Sequence, residues 1–114
     1  MPCICTKVTC KITKEKEEVL KTKFGEMITQ LPGKSEGWLM LSFEDNCRLY
    51  FKGEGDKPSA FLEVKLFGKA DAASYNKLTA SLTHILSQEL DIPSSRIYIQ
   101  YQETEYWGFN GSNF

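Results

Sequence analysis

The chain begins Met1-Pro2-Cys3-Ile4-Cys5, and its second residue has two chemistries. Bonded to Met1, the Pro2 nitrogen is a tertiary amide, with no hydrogen to donate and no basic lone pair. With Met1 removed, it is a secondary amine on a rigid ring at the start of a strand. An ordinary α-amino group has a reference pKa of about 7.7–8.0, so it is mostly protonated at neutral pH. Such an amine serves as a base there only where its surroundings disfavour the ammonium, and burial and a nearby cation both do so. Cys3 and Cys5 lie two apart on one face of the same strand and read as small hydrophobes. Cys-x-Cys without further ligands is not a zinc pattern, and the only histidine, His84, lies inside a predicted helix. No metal is therefore expected.

The elements that must position these groups follow from hydrophobic periodicity. "CICTKVT" alternates and predicts a strand from about Pro2 to Thr9. Val19, Leu20, Phe24, Met27, Ile28 and Leu31 have helical spacing, with Thr13 as N-cap and Pro32-Gly33 as the stop. "GWLMLSF" predicts a strand, and "CRLYF" its hairpin partner across "EDN". After the turn-rich "KGEGDKPS" the pattern begins again. "AFLEVKLFG" is a strand, a helix capped by Asp71 carries Tyr75, Leu78, Leu82, Ile85, Leu86 and Leu90, "DIPSSR" breaks it, and "RIYIQYQ" is a strand.

The chain thus reads as two βαβ pseudo-repeats. Each crossover helix favours parallel pairing of its flanking strands, and right-handed connections lay both helices on one face of a four-stranded sheet. Ile4, Leu39, Leu41, Leu62, Ile97 and Ile99 make the strands apolar, and the expectation is that oligomerisation covers the open face.

The 114 residues fit one domain, 1–114. With 41% hydrophobic and 25% charged residues the composition is that of a globular protein, and a net charge of −1 gives no footprint for nucleic acid. No stretch has the length and apolarity of a signal peptide or a membrane helix, so a cytoplasmic protein with no membrane partner is expected. Without secretion, Cys3, Cys5, Cys10 and Cys47 are not expected to form a disulfide framework. By itself Lys34, in "PGKS", reads as a solvated loop lysine.

The initial Met1-Pro2, "LPGK" ending at Lys34, "FGK" starting at Phe67, "RIYIQY" starting at Arg96 and the terminal "WGFNGSNF" together resemble the macrophage migration inhibitory factor family of the tautomerase superfamily. The likeness extends over nearly the whole chain. It implies an α/β (α+β) tautomerase fold in a homotrimer, with sheets turned inward, helices outward and an active site at each subunit interface. It also implies a cofactor-free phenylpyruvate or dopachrome tautomerase acting on a small aromatic α-keto acid. In that reading Pro2, freed of Met1, is the general base, and Lys34 binds the substrate carboxylate and stabilises the enolate. The Phe67 amide contacts that carboxylate, while Tyr98 and Gln100, on one face of their strand, come from the adjacent subunit.

Trp38, Trp107 and Phe109 match pocket-wall positions, core packing being the alternative for Trp38. Relatives commonly have asparagine where Gln100 stands and Ser-Ile-Gly where this chain has Leu66-Phe67-Gly68, so a Phe67 side chain is expected to narrow the pocket. Where some relatives carry a Cys-x-x-Cys linked to thiol oxidoreductase activity, this chain has Ser59-Ala60-Phe61-Leu62, and that activity is not expected. The resemblance allows a second function, a signalling protein that leaves cells without a signal peptide and binds a receptor, its catalytic site vestigial. A small interaction domain of ferredoxin-like shape is a third.

Overall fold

The computed structural model describes residues 1–114. Its main elements are β1 (Pro2–Val8), α1 (Lys14–Met27), β2 (Met40–Glu44), β3 (Ala60–Phe67), α2 (Ala72–Leu90), β4 (Ile97–Thr104), β5 (Gly108–Phe109) and β6 (Ser112–Asn113). The principal sheet has the order β2-β1-β3-β4. β1 pairs parallel with β2, β3 pairs parallel with β4, and β1 meets β3 antiparallel. Each half is therefore a βαβ unit, and the two units join through their first strands.

Strand alternation decides which side chains the helices cover. Along β1, Pro2, Ile4, Thr6 and Val8 are buried while Cys3, Cys5 and Lys7 are only half-buried, and β3 follows the same rhythm from Ala60 to Leu66. Leu20, Phe24, Leu78, Leu82 and Leu86 of the helices close over this apolar side. Thr13 caps α1, its hydroxyl accepting from the Lys16 N–H at 3.2 Å. Asp71 occupies the N-cap position of α2, but its carboxylate takes the Ser74 hydroxyl instead of a backbone amide.

Two expectations are corrected. The apolar strand residues do not mark an open face in need of cover: Ile4 and Leu62 are fully buried, and Leu39, Leu41, Ile97 and Ile99 pack against the same core. The opposite face carries Cys3, Cys5, Glu63, Lys65, Gln100 and Gln102 together with Met40, Phe61 and Tyr98, by register and alternation, so what it leaves uncovered is Met40 and Tyr98 and not the residues named from the sequence. Nor does "CRLYF" return along β2. Asn46, at φ 54°, donates to the Cys10 carbonyl at 3.0 Å and the Cys47 N–H to that of Val8 at 2.9 Å, so the chain turns across the end of β1.

The loop that follows is held by Arg96, which is 8% exposed. Its guanidinium donates to the carbonyls of Pro58 (3.1 Å) and Glu54 (3.0 Å) and to the Ser59 hydroxyl (2.9 Å). Arg96→Ala is expected to cost about 3 kcal/mol, because buried acceptors lose a charged donor and find no replacement. Urea unfolding monitored by circular dichroism reads this directly, and a loss below about 1 kcal/mol would mean that water satisfies those carbonyls.

Candidate active site

Pro2 is buried and stands opposite Leu66 in the β1–β3 register, while Cys3 is flanked by Lys65 on one side and Met40 on the other. The start of β1 therefore lies against the end of β3 and the start of β2. These strands and the C-terminal ribbon enclose a cleft of about 660 Å³, lined by Met1, Pro2, Cys3, Gly37, Trp38, Leu39, Met40, Lys65, Trp107, Gly108 and Phe109.

Local sequence positions its walls. A turn at Glu36–Trp38 carries Trp38, and Gly25 of α1 lets the Glu36 side chain lie close, since an added Cβ would strike that carboxylate. Trp38 is 54% exposed and so is wall and not core, its ring edge-on to Phe109 at 5.3 Å between centroids. Asn110 and Gly111, at φ 53° and 89°, form the two-residue turn that folds β5 onto β6, and the Phe114 N–H donates to the Trp107 carbonyl at 3.1 Å. The Phe67 ring, expected to narrow the pocket, is not among the residues lining the cleft and packs on Phe114, at 5.4 Å between centroids.

The polar groups converge on Pro2 from one side. Gly33, at φ 78°, turns the chain after Pro32, and Lys34 then reaches back so that its ammonium donates to the Phe67 carbonyl at 2.9 Å. The Phe67 N–H donates to the Met1 carbonyl at 3.1 Å. Burial first, then the charge and hydrogen bond of Lys34, hold the Met1 amine below its usual pKa. The Met1 carbonyl oxygen thus lies beside Pro2 and in front of a backbone donor.

Tyr98 and Gln100 are not brought to this cleft within one chain. Tyr98 pairs with Phe61, five positions along β3 from Leu66, which puts it roughly 16 Å along the sheet from Pro2 and two strands across. Its ring lies edge-on to Phe51, at 5.3 Å between centroids, at the opposite end of the molecule's sheet.

Lys65 and Met40 line the cleft without having been singled out from the sequence, and Cys3, read there as a small hydrophobe, lines it beside Pro2. For Lys65 the available signal was its two-residue spacing from Phe67. The four cysteines are free, and Cys3 Sγ lies 3.8 Å from Cys5 Sγ. Burial foremost, and then Cys5, push the Cys3 thiol up to about 11. Alkylation of Cys3 by iodoacetamide at pH 8 is therefore expected to run about 100-fold slower than that of an unperturbed thiol. It should rise about tenfold per pH unit, read from the mass of the N-terminal peptide, and an unperturbed rate would contradict this environment.

A family model described as macrophage migration inhibitory factor matches residues 1–114. A macrophage migration inhibitory factor homolog from Brugia malayi is 29% identical over 94 residues, 81% of each chain. Among solved structures, Leishmania major MIF2 superposes with a TM-score of 0.93 at 29% identity, covering 100% of this chain and 97% of that one. The macrophage migration inhibitory factor homologue from Prochlorococcus marinus gives a TM-score of 0.82 at 26% identity, covering 98% of each. No helix is long and apolar enough to cross a membrane.

Proposed function

The chain belongs to the macrophage migration inhibitory factor family, and from that premise we propose that it is a cofactor-independent tautomerase of phenylpyruvate-like α-keto acids, with Pro2 as general base once Met1 is removed. The observation that carries this reading is the hydrogen bond from the Phe67 N–H to the Met1 carbonyl, at 3.1 Å, with Lys34 at the adjacent amine. Loss of Met1 frees the Pro2 nitrogen and vacates that oxygen position together. The donor that held the Met1 carbonyl is then aimed at a substrate oxygen next to the new base.

In the forward direction the substrate carboxylate takes the Phe67 N–H and Lys34. The Pro2 nitrogen accepts the proton from the carbon α to the ketone, the C–H electrons form the new C=C bond, and the C=O π electrons move onto the carbonyl oxygen. The Lys34 ammonium stabilises the enolate, and the proton is returned to that oxygen to give the enol. The reverse path needs the same groups. Trp38, Trp107 and Phe109 offer an aromatic substrate three ring faces or edges within one cleft.

A homotrimer follows from the same reading. Tyr98 and Gln100 lie too far from their own Pro2, so a neighbouring subunit must supply them if they are to touch substrate. The test is an assay of phenylpyruvate enolisation by the chain lacking Met1, with its mass in solution measured in parallel. The expected results are turnover above the buffer rate and a particle of three 13.0 kDa chains. No turnover by a verified Pro2-terminal protein would overturn the assignment, and an active monomer would remove the roles of Tyr98 and Gln100.

A further inference from the structure

The charges around the cleft are unevenly paired. The chain has 15 acidic and 14 basic residues, yet none of the cleft's lining residues is acidic. Lys14, Lys16, Lys21, Lys23 and Lys57 each have a carboxylate within 3.2 Å, whereas Lys7, Lys11, Arg48, Lys52, Lys69 and Lys77 join no ion pair. Among the basic residues it is Lys65 that stands in the cleft lining. Lys65, half-buried in the cleft wall, joins no ion pair, and Lys34 meets the Phe67 carbonyl and the Met1 amine but no carboxylate. A cleft whose lining carries one lysine ammonium and no carboxylate presents a positive potential suited to a bound anion.

Register puts the two cations on either side of the base. Pro2 faces Leu66, Lys65 precedes it, and Lys34 is tied to Phe67 just after it. Their anchor points on β3 are two residues apart, about 6.6 Å. Lys65 also acts on Cys3, whose thiol its charge pulls down against the opposing effect of burial. One substrate carboxylate can satisfy Lys34 and the Phe67 N–H, which leaves Lys65 for a different group.

We propose that Lys65 is a specificity-determining residue that selects α-keto acids carrying a second anionic group, the carboxylate lying at Lys34, the body of the molecule among Trp38, Trp107 and Phe109, and the second anion at Lys65. This rests on the tautomerase reading. Only the substrate's charge at its far end distinguishes such a ligand from plain phenylpyruvate.

The test compares phenylpyruvate with 4-carboxyphenylpyruvate on the Met1-free protein. The carboxylated substrate is expected to have the higher kcat/KM by about tenfold, mostly through KM, a difference of about 1.4 kcal/mol. Lys65→Met should bring the ratio close to one, Lys65→Arg should keep most of it, and added salt should shrink it in the parent. An unchanged ratio in Lys65→Met overturns the proposal, including the case in which a neighbouring subunit's carboxylate neutralises Lys65. Equilibrium binding of both acids, followed by tryptophan fluorescence, keeps the two readings apart. Absence of turnover with a Lys65-dependent binding preference would sink the tautomerase reading alone, and turnover without any preference would sink the role of Lys65 alone.

Discussion

Replacing Pro2 with glycine is expected to lower kcat/KM for phenylpyruvate enolisation at least a hundredfold, the scale on which a positioned general base contributes. Glycine keeps a free amine at the same place in the chain, so the loss reads the ring and its placement. The pyrrolidine is buried against the end of β3, and its fixed backbone angle aims the nitrogen lone pair. A flexible primary amine at a strand end samples many orientations and admits water, which returns its pKa toward that of an ordinary α-amine. Circular dichroism and the oligomer mass should be unchanged, since proline donates no hydrogen bond that glycine would lose. Activity within about threefold of the parent would take the base role away from Pro2.

Lys34→Ala is the second large effect, a loss of about 10²–10³ in kcat/KM, as expected when a principal donor to a developing enolate is removed. It carries a second signature in pH. A neighbouring cation disfavours the ammonium, and the Lys34 charge acts in that sense on the amine it adjoins. Removing that charge raises the pKa of the Pro2 amine, so the base is protonated up to a higher pH. The acid limb of the kcat/KM profile is therefore expected to move to higher pH in Lys34→Ala and to move much less in Lys34→Arg. Unaltered rates and an unmoved limb would show that Lys34 serves only to tie its loop to Phe67.

The repeat of strand, helix, breaker and strand was legible because each half carries its own period change and its own Pro-containing stop, at Pro32 and Pro93. Alternation located the strands but did not by itself say which side the helices cover. Ile4 and Leu62 therefore entered an argument about an open face that register places them away from. The hairpin expected at "CRLYF" failed on Asn46, whose left-handed backbone and bond to the Cys10 carbonyl send the chain elsewhere. By contrast the Asn110-Gly111 pair is a strong short-range hairpin signal, and the β5–β6 ribbon forms around it.

Site residues divide along the same line. Pro2 and Lys34 sit in local motifs, the chain start and the loop after a helix, but their proposed roles came through the resemblance, since Lys34 by itself reads as a solvated loop lysine. The approach of the Phe67 N–H to the Met1 carbonyl and the entry of Lys65 into the cleft both depend on how β1 and β3 are registered, which no local pattern encodes. Phe67 shows the limit from the other side. Its side chain was expected to narrow the pocket, and instead its ring packs on Phe114 outside the cleft lining.

Everything turns on the state of the N-terminus, and that can be measured on two preparations of one sequence. Protein carrying Met1 and protein processed to Pro2 are separated by intact mass and assayed side by side for phenylpyruvate enolisation. The processed chain is expected to turn over substrate and the Met1-bearing chain to give no more than the buffer rate, because its Pro2 nitrogen is an amide and its Met1 carbonyl holds the Phe67 donor. Equal activity in the two preparations would contradict the assignment of Pro2 as the base.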